Sequence, residues 1–124
     1  CIRDSKASAQ VNAVVARAPD LAGIFGANLF SAIGSADGVK AMGKTGEIKV
    51  VASDAPTRIV DDLKSGLVDL AIAQHPAEIG YMGVMVAFGH VTGNPVPVSV
   101  GTGFTVMTAD NIDDPNISKY VYSD

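Results

Sequence analysis

Asn28, Asp54 and Gln74 each stand at the end of a short apolar run: Asn28 after AGIFGA, Asp54 after IKVVAS, Gln74 after LAIA. A carboxylate accepts two hydroxyl protons, and each carboxamide both donates and accepts. The charged acceptor makes the shorter and stronger bonds. Gathered at one place, these side chains have the chemistry to hold the hydroxyls of a sugar or polyol. Each also has a plainer reading, because Asn and Asp at strand ends are common helix caps and turn formers. Gln74 resists it, since Gln is a poor cap and here lies between Ala73 and a His75-Pro76 turn. Three such residues in register favour a binding patch.

Other chemistries find little support. His75 and His90 are distant in sequence and lack partners at ligand spacing, so no metal is expected. Ser31, Ser35 and Ser53 have no G-x-S-x-G context for a nucleophile. Gly101-Thr-Gly103 is too short to cradle a phosphate and opens no helix. The acidic stretch 110–114 lacks the Gly and closing Glu of a calcium loop. Asp61-Asp62 reads as a solvated helix face. The chain is therefore not expected to be an enzyme or to carry a cofactor.

The elements that must position the triplet alternate along the chain. Helical spacing runs over 4–18, with Asp4 or Ser5 as cap, then over 29–42, from 54 to about 66, and over 76–91. Between them lie apolar or β-branched runs at 22–27, 48–52 and 70–73, the first suited to a buried strand. Residues 96–100 and 104–108 read as further strand pieces, and 110–122 as a short helix or an irregular surface tail. Alternation of this kind predicts an α/β fold with a parallel, Rossmann-like sheet. Ligands of such sheets bind at the carboxyl ends of the strands, which is where Asn28, Asp54 and Gln74 fall.

Composition agrees. The 124 residues suit one domain, 48% are hydrophobic, and the mean hydropathy is +0.28, enough to build a core. A net charge of -4 without a basic cluster argues against nucleic acid. The apolar stretches are broken well before a membrane span. The single Cys excludes an internal disulfide framework. Cys1 reads either as the start of a cut or ordered segment or as a lipid-anchored first residue.

Residues 23–34 (GIFGANLFSAIG), 50–57 (VVASDAPT) and 70–80 (LAIAQHPAEIG) resemble the C-terminal lobe of type I periplasmic sugar-binding proteins. These are the ribose-binding-protein-like solute receptors of ABC importers. The resemblance extends from the helix at Asp4 to residues 108–115 (TADNIDDP). It implies that Asn28, Asp54 and Gln74 contact sugar hydroxyls, and that the chain near Gln74-His75 crosses a hinge between lobes. Arg3, Arg17 and Arg58 match no motif position. The triplet would accept pentoses, hexoses, inositol-like rings and linear polyols alike.

The resemblance covers only the later part of such receptors. It implies an incomplete lobe: residues 1–74 as part of the C-terminal sugar-binding lobe, and 75–124 as the hinge crossing and a return segment that packs on a first lobe. The function expected is that of a periplasmic sugar- or polyol-binding component of an ABC importer, partnered by a membrane permease and not by nucleic acid. Alternatives are the effector lobe of a LacI-type transcriptional regulator and, on fold analogy alone, a flavodoxin-like or Rossmann-like enzyme. Ile79, Tyr81, Met82, Val86 and Phe88 would form an uncovered apolar helix face. A homodimer is the expected outcome, and exchange of the return segments between chains is one low-cost route to it.

Overall fold

The computed structural model describes residues 2–122, with side chains from Asp4 to Tyr122. The readings attached to Cys1 and to the Arg3 side chain lie outside the described residues. In chain order the elements are α1 (Ile2–Arg17), β1 (Gly23–Gly26), α2 (Leu29–Ala41), β2 (Lys49–Ser53), α3 (Thr57–Lys64), β3 (Leu70–Gln74), α4 (Pro76–Val91), β4 (Phe104–Met107) and α5 (Pro115–Ser118). The α/β class holds. No helix among the described residues is long and apolar enough to cross a membrane.

The strands form one sheet in the order β1-β2-β3-β4. The β1–β2 and β2–β3 pairs are parallel, as expected of strands joined through helices. β4 departs from the parallel expectation and runs antiparallel to β3, pairing Gln74 with Phe104 and Ala71 with Met107. Residues 96–100 form no strand. Pro95 and Pro97 remove backbone donors there, and Val98 stands fully in solvent at 106% exposure. β1 is an edge strand and not a buried one, which leaves Phe25 57% exposed.

The core lies where the inner strands meet the helices. Val50 and Ala52 from β2, Ala71 and Ala73 from β3 and Met107 from β4 are buried with Val39 of α2 and Ile59 and Leu63 of α3. Alternating burial along β2 and β3 shows the two-residue period of a sheet with one covered face. The tail contributes more than a surface coil. Ile112 is buried, Ile117, Tyr120 and Val121 pack against the core, and Tyr122 bridges to Pro56.

α1 lies against α2 because α2 is lined with small residues. A Cβ on Gly34 would come within 2.5 Å of the Asp4 carbonyl oxygen, and one on Gly38 within 2.9 Å of the Val11 Cβ. Gly in a helix interior is unfavourable by itself, so close approach is what these positions gain. α4 differs from the other long helices in burying no residue at all.

Asp62 is another departure from expectation. Asp61 faces solvent, but Asp62 is only 7% exposed. Arg58 Nε donates to Asp62 Oδ2 at 2.9 Å, and Arg58 Nη2 donates to Asp37 Oδ1 at 2.7 Å, so one guanidinium ties α3 to α2. Burial pushes the Asp62 carboxyl above its ordinary value of 3.8, and the hydrogen bond and charge of Arg58 offset only part of that. Burial pulls Arg58 down, but its bonds to Asp37 and Asp62 leave it raised.

Two outcomes follow from this packing. Gly34→Ala should destabilise the fold by about 1–3 kcal/mol in urea titration, because a backbone carbonyl cannot rotate away; that exceeds the ~1 kcal/mol which Ala gains over Gly in a helix. For Asp62, a raised folded-state value means the native protein holds this proton more tightly than the unfolded chain does. Stability should therefore fall as pH rises from 3.8 through the raised value, then level off. Asp62→Asn should lack that fall when unfolding is followed across the same pH range; a slope of opposite sign would mean that the ion pair outweighs burial.

Candidate functional site

The ends of β1, β2 and β3 lie side by side because the parallel register pairs Gly26 with Ala52 and Ser53 with Ile72. The residues that follow each strand are thereby delivered to one edge of the sheet.

Asn28 is the N-cap of α2, with φ -156° and ψ 167°. Its Oδ1 accepts from the Ser31 backbone N–H at 3.0 Å, while the Asn28 N–H donates to Ser31 Oγ at 3.1 Å. This is a reciprocal capping box. The capping reading holds, and the cap fixes the side chain in one orientation without using the Nδ2 donor.

Asp54 sits in the left-handed region, with φ 71°, and is the single non-glycine residue with positive φ among the described residues. Its backbone N–H donates to the Ile72 carbonyl at 2.9 Å, so the turn is locked to β3. Its Oδ1 accepts from Gln74 Nε2 at 2.7 Å. The carboxylate and the carboxamide are thus joined across two strand ends, with Asp54 half-buried and Gln74 exposed.

Asn28 and Asp54 line the same open depression of about 700 Å³, together with Lys6, Gln10, Phe30 and Ser31. Gln74 does not line it and joins the group through its bond to Asp54. Lys6 and Gln10 are new to the site. They lie one turn apart on the exposed side of α1, and their i, i+4 spacing was the available signal. Phe30, on the first turn of α2, brings an aromatic ring to the same depression. It sets an apolar surface beside the polar groups of Asn28 and Asp54.

His75 is not part of this depression. Its ring turns toward Glu78, Thr105 and Tyr120 and borders a separate cavity of about 300 Å³. His90 is exposed on α4. Among the described residues no group of three or more His, Cys, Asp or Glu side chains is arranged to hold a metal ion.

The backbone of Asp54 separates its conformational role from its chemical one. Left-handed backbone is unfavourable by roughly 1–2 kcal/mol for most L-residues and free for glycine. Asp54→Gly should be at least as stable as the parent and about 1 kcal/mol more stable than Asp54→Ala in urea unfolding.

A family model described as a periplasmic binding protein domain matches residues 3–95. The D-allose-binding periplasmic protein of Escherichia coli (strain K12) is 30% identical over 95 residues, covering 76% of this chain and 30% of its own length. An ABC transporter solute binding protein from Agrobacterium vitis, solved with α-D-tagatopyranose, is 58% identical with a TM-score of 0.92, over 98% of this chain and 41% of that one. A second Agrobacterium vitis solute binding protein, solved with D-fucose, is 30% identical with a TM-score of 0.86, over 96% and 41% respectively. The chain thus spans less than half the length of each of these relatives.

Proposed function

The chain belongs to the periplasmic binding protein family, and from that premise we propose that it forms one wall of the monosaccharide site in a periplasmic solute receptor of an ABC importer. Its relatives are solute-binding proteins and not enzymes. The observation that carries the reading is the bonded pair Asp54–Gln74 beside the capped Asn28, all at the carboxyl ends of parallel strands. Asp54 Oδ1 is already engaged by Gln74, so Oδ2 is the oxygen that accepts a sugar hydroxyl proton. Asn28 Nδ2, which the cap does not use, donates to a neighbouring hydroxyl. The Phe30 ring offers its apolar surface to the sugar ring. The bond from Gln74 holds the Asp54 carboxylate still before ligand arrives, which reduces what must be ordered on binding.

On this reading residues 1–74 belong to the sugar-binding lobe, and residues 75–124 carry the chain across the hinge and back. The uncovered α4 supports that division. No α4 residue is buried, and Phe88 is 61% exposed, with Tyr81, Val84 and Val91 exposed as well. A second lobe packed there would close over the strand ends, and sugar bound between lobes would favour the closed state that a membrane permease recognises. Taken alone, the chain has the same face open, and a homodimer through α4 is the expected result.

Titration calorimetry with D-tagatose, D-allose and D-fucose tests the binding reading. Asp54→Ala should weaken the best of them by about 10- to 100-fold, the range for a lost hydrogen bond to a charged group. Asn28→Ala and Gln74→Ala should weaken it less. Unchanged affinity in all three variants would overturn the assignment. For the α4 face, sedimentation of the 124-residue chain should show a dimer that Phe88→Asp reduces to monomer; a monomeric parent would remove the self-association part.

A further inference from the structure

His75 occupies the junction between β3 and α4, directly after Gln74. It is the N-cap residue of α4, yet its side chain makes no capping hydrogen bond. It does not line the Asn28–Asp54 depression either. Its ring is instead gripped on several sides, with the side chain only 12% exposed. Nδ1 lies 2.9 Å from Glu78 Oε2, and Nε2 lies 2.8 Å from Thr105 Oγ1. The ring lies flat on Tyr120, with centroids 3.8 Å apart and planes 8° from parallel. A carboxylate can only accept, so Nδ1 carries a proton, and in the neutral ring the Thr105 hydroxyl donates to Nε2. The Gly103 turn passes beside the ring, where a Cβ would stand 3.4 Å from it.

These partners come from separate parts of the chain: the first turn of α4, strand β4, the turn before it, and the segment after α5. Since α4 buries no residue of its own, the His75 ring is a packed link between the start of α4 and the rest of the fold. Gln74 is held on one side by its pairing with Phe104. On the other side its backbone runs straight into the clamped His75. An exposed Gln side chain has substantial rotamer entropy to lose when it is held in one place. Keeping it on Asp54 at 2.7 Å therefore depends on a Cα that does not move.

We propose that His75 is a positioning residue: its ring, clamped by Tyr120, Thr105 and Glu78, holds the Gln74 carboxamide on Asp54. The proposal rests on the sugar-site reading only for its consequence in affinity, because the Gln74–Asp54 bond is present without ligand. The test is the side-chain amide resonance of Gln74 in the ligand-free protein, with that of Asn28 as internal control and Asp54→Ala marking the released position. Tyr120→Phe keeps the stacked ring and should leave the Gln74 signal where it is. Tyr120→Ala and the milder Thr105→Val should move it toward the released position without moving Asn28, and should weaken D-tagatose binding by up to about 30-fold, the scale of that rotamer entropy. If Tyr120→Ala and Thr105→Val lower thermal stability while the Gln74 signal stays in place, the clamp is merely structural and the proposal fails. If the signal moves as expected but neither parent nor variants bind D-tagatose, D-allose or D-fucose, the positioning role stands and the sugar reading falls.

Discussion

Parallel pairing of β1, β2 and β3 is the constraint on which the rest depends. Parallel strands all point the same way, so whatever follows each strand arrives at the same edge. The buried faces of β2 and β3, through Val50, Ala52, Ala71 and Ala73, set the register. A slip by one residue would turn that apolar set outward. Placement of Asn28, Asp54 and Gln74 is thus enforced by core packing some distance away.

Local devices then refine what the sheet delivers. The capping box orients Asn28 while satisfying the start of α2. The left-handed turn at Asp54, tied to Ile72, aims a carboxylate where ordinary strand geometry would not. A conformation that most residues adopt unwillingly persists at this sheet edge because the surrounding bonds over-determine it. The carboxamide of Gln74 completes the pair, and the His75 ring anchors the next step of the chain. Beyond that ring the character of the fold changes. α4 is apolar but uncovered, residues 94–103 run without a ladder, and β4 returns antiparallel at the sheet edge.

The readings that succeeded drew on local signals. Apolar runs bounded by Gly, Pro and Asp marked β1, β2 and β3, and Pro76 with the glycine at 93 bracketed α4. Those that failed needed knowledge of a distant neighbour. Residues 96–100 have strand-forming valines but no partner strand, with Pro95 and Pro97 removing donors. An acidic pair at 61–62 looks solvated until Arg58 is seen reaching from the same helix to both Asp62 and Asp37. The surface tail turned out to seal the core through Ile112 and Tyr120, residues that no periodicity in so short a segment marks as inward.

By itself the sequence determined the α/β class, the three parallel strands and the identity of the polar residues at their ends, because strand and helix periods and turn chemistry are short-range properties of the chain. Tertiary structure alone decided that Asp54 and Gln74 bond directly, that Lys6, Gln10 and Phe30 border the same depression, and that His75 faces Tyr120 and not that depression. Those contacts join residues 20 to 45 or more positions apart or on different elements, and their geometry follows from how helices pack on the sheet, which no local pattern encodes.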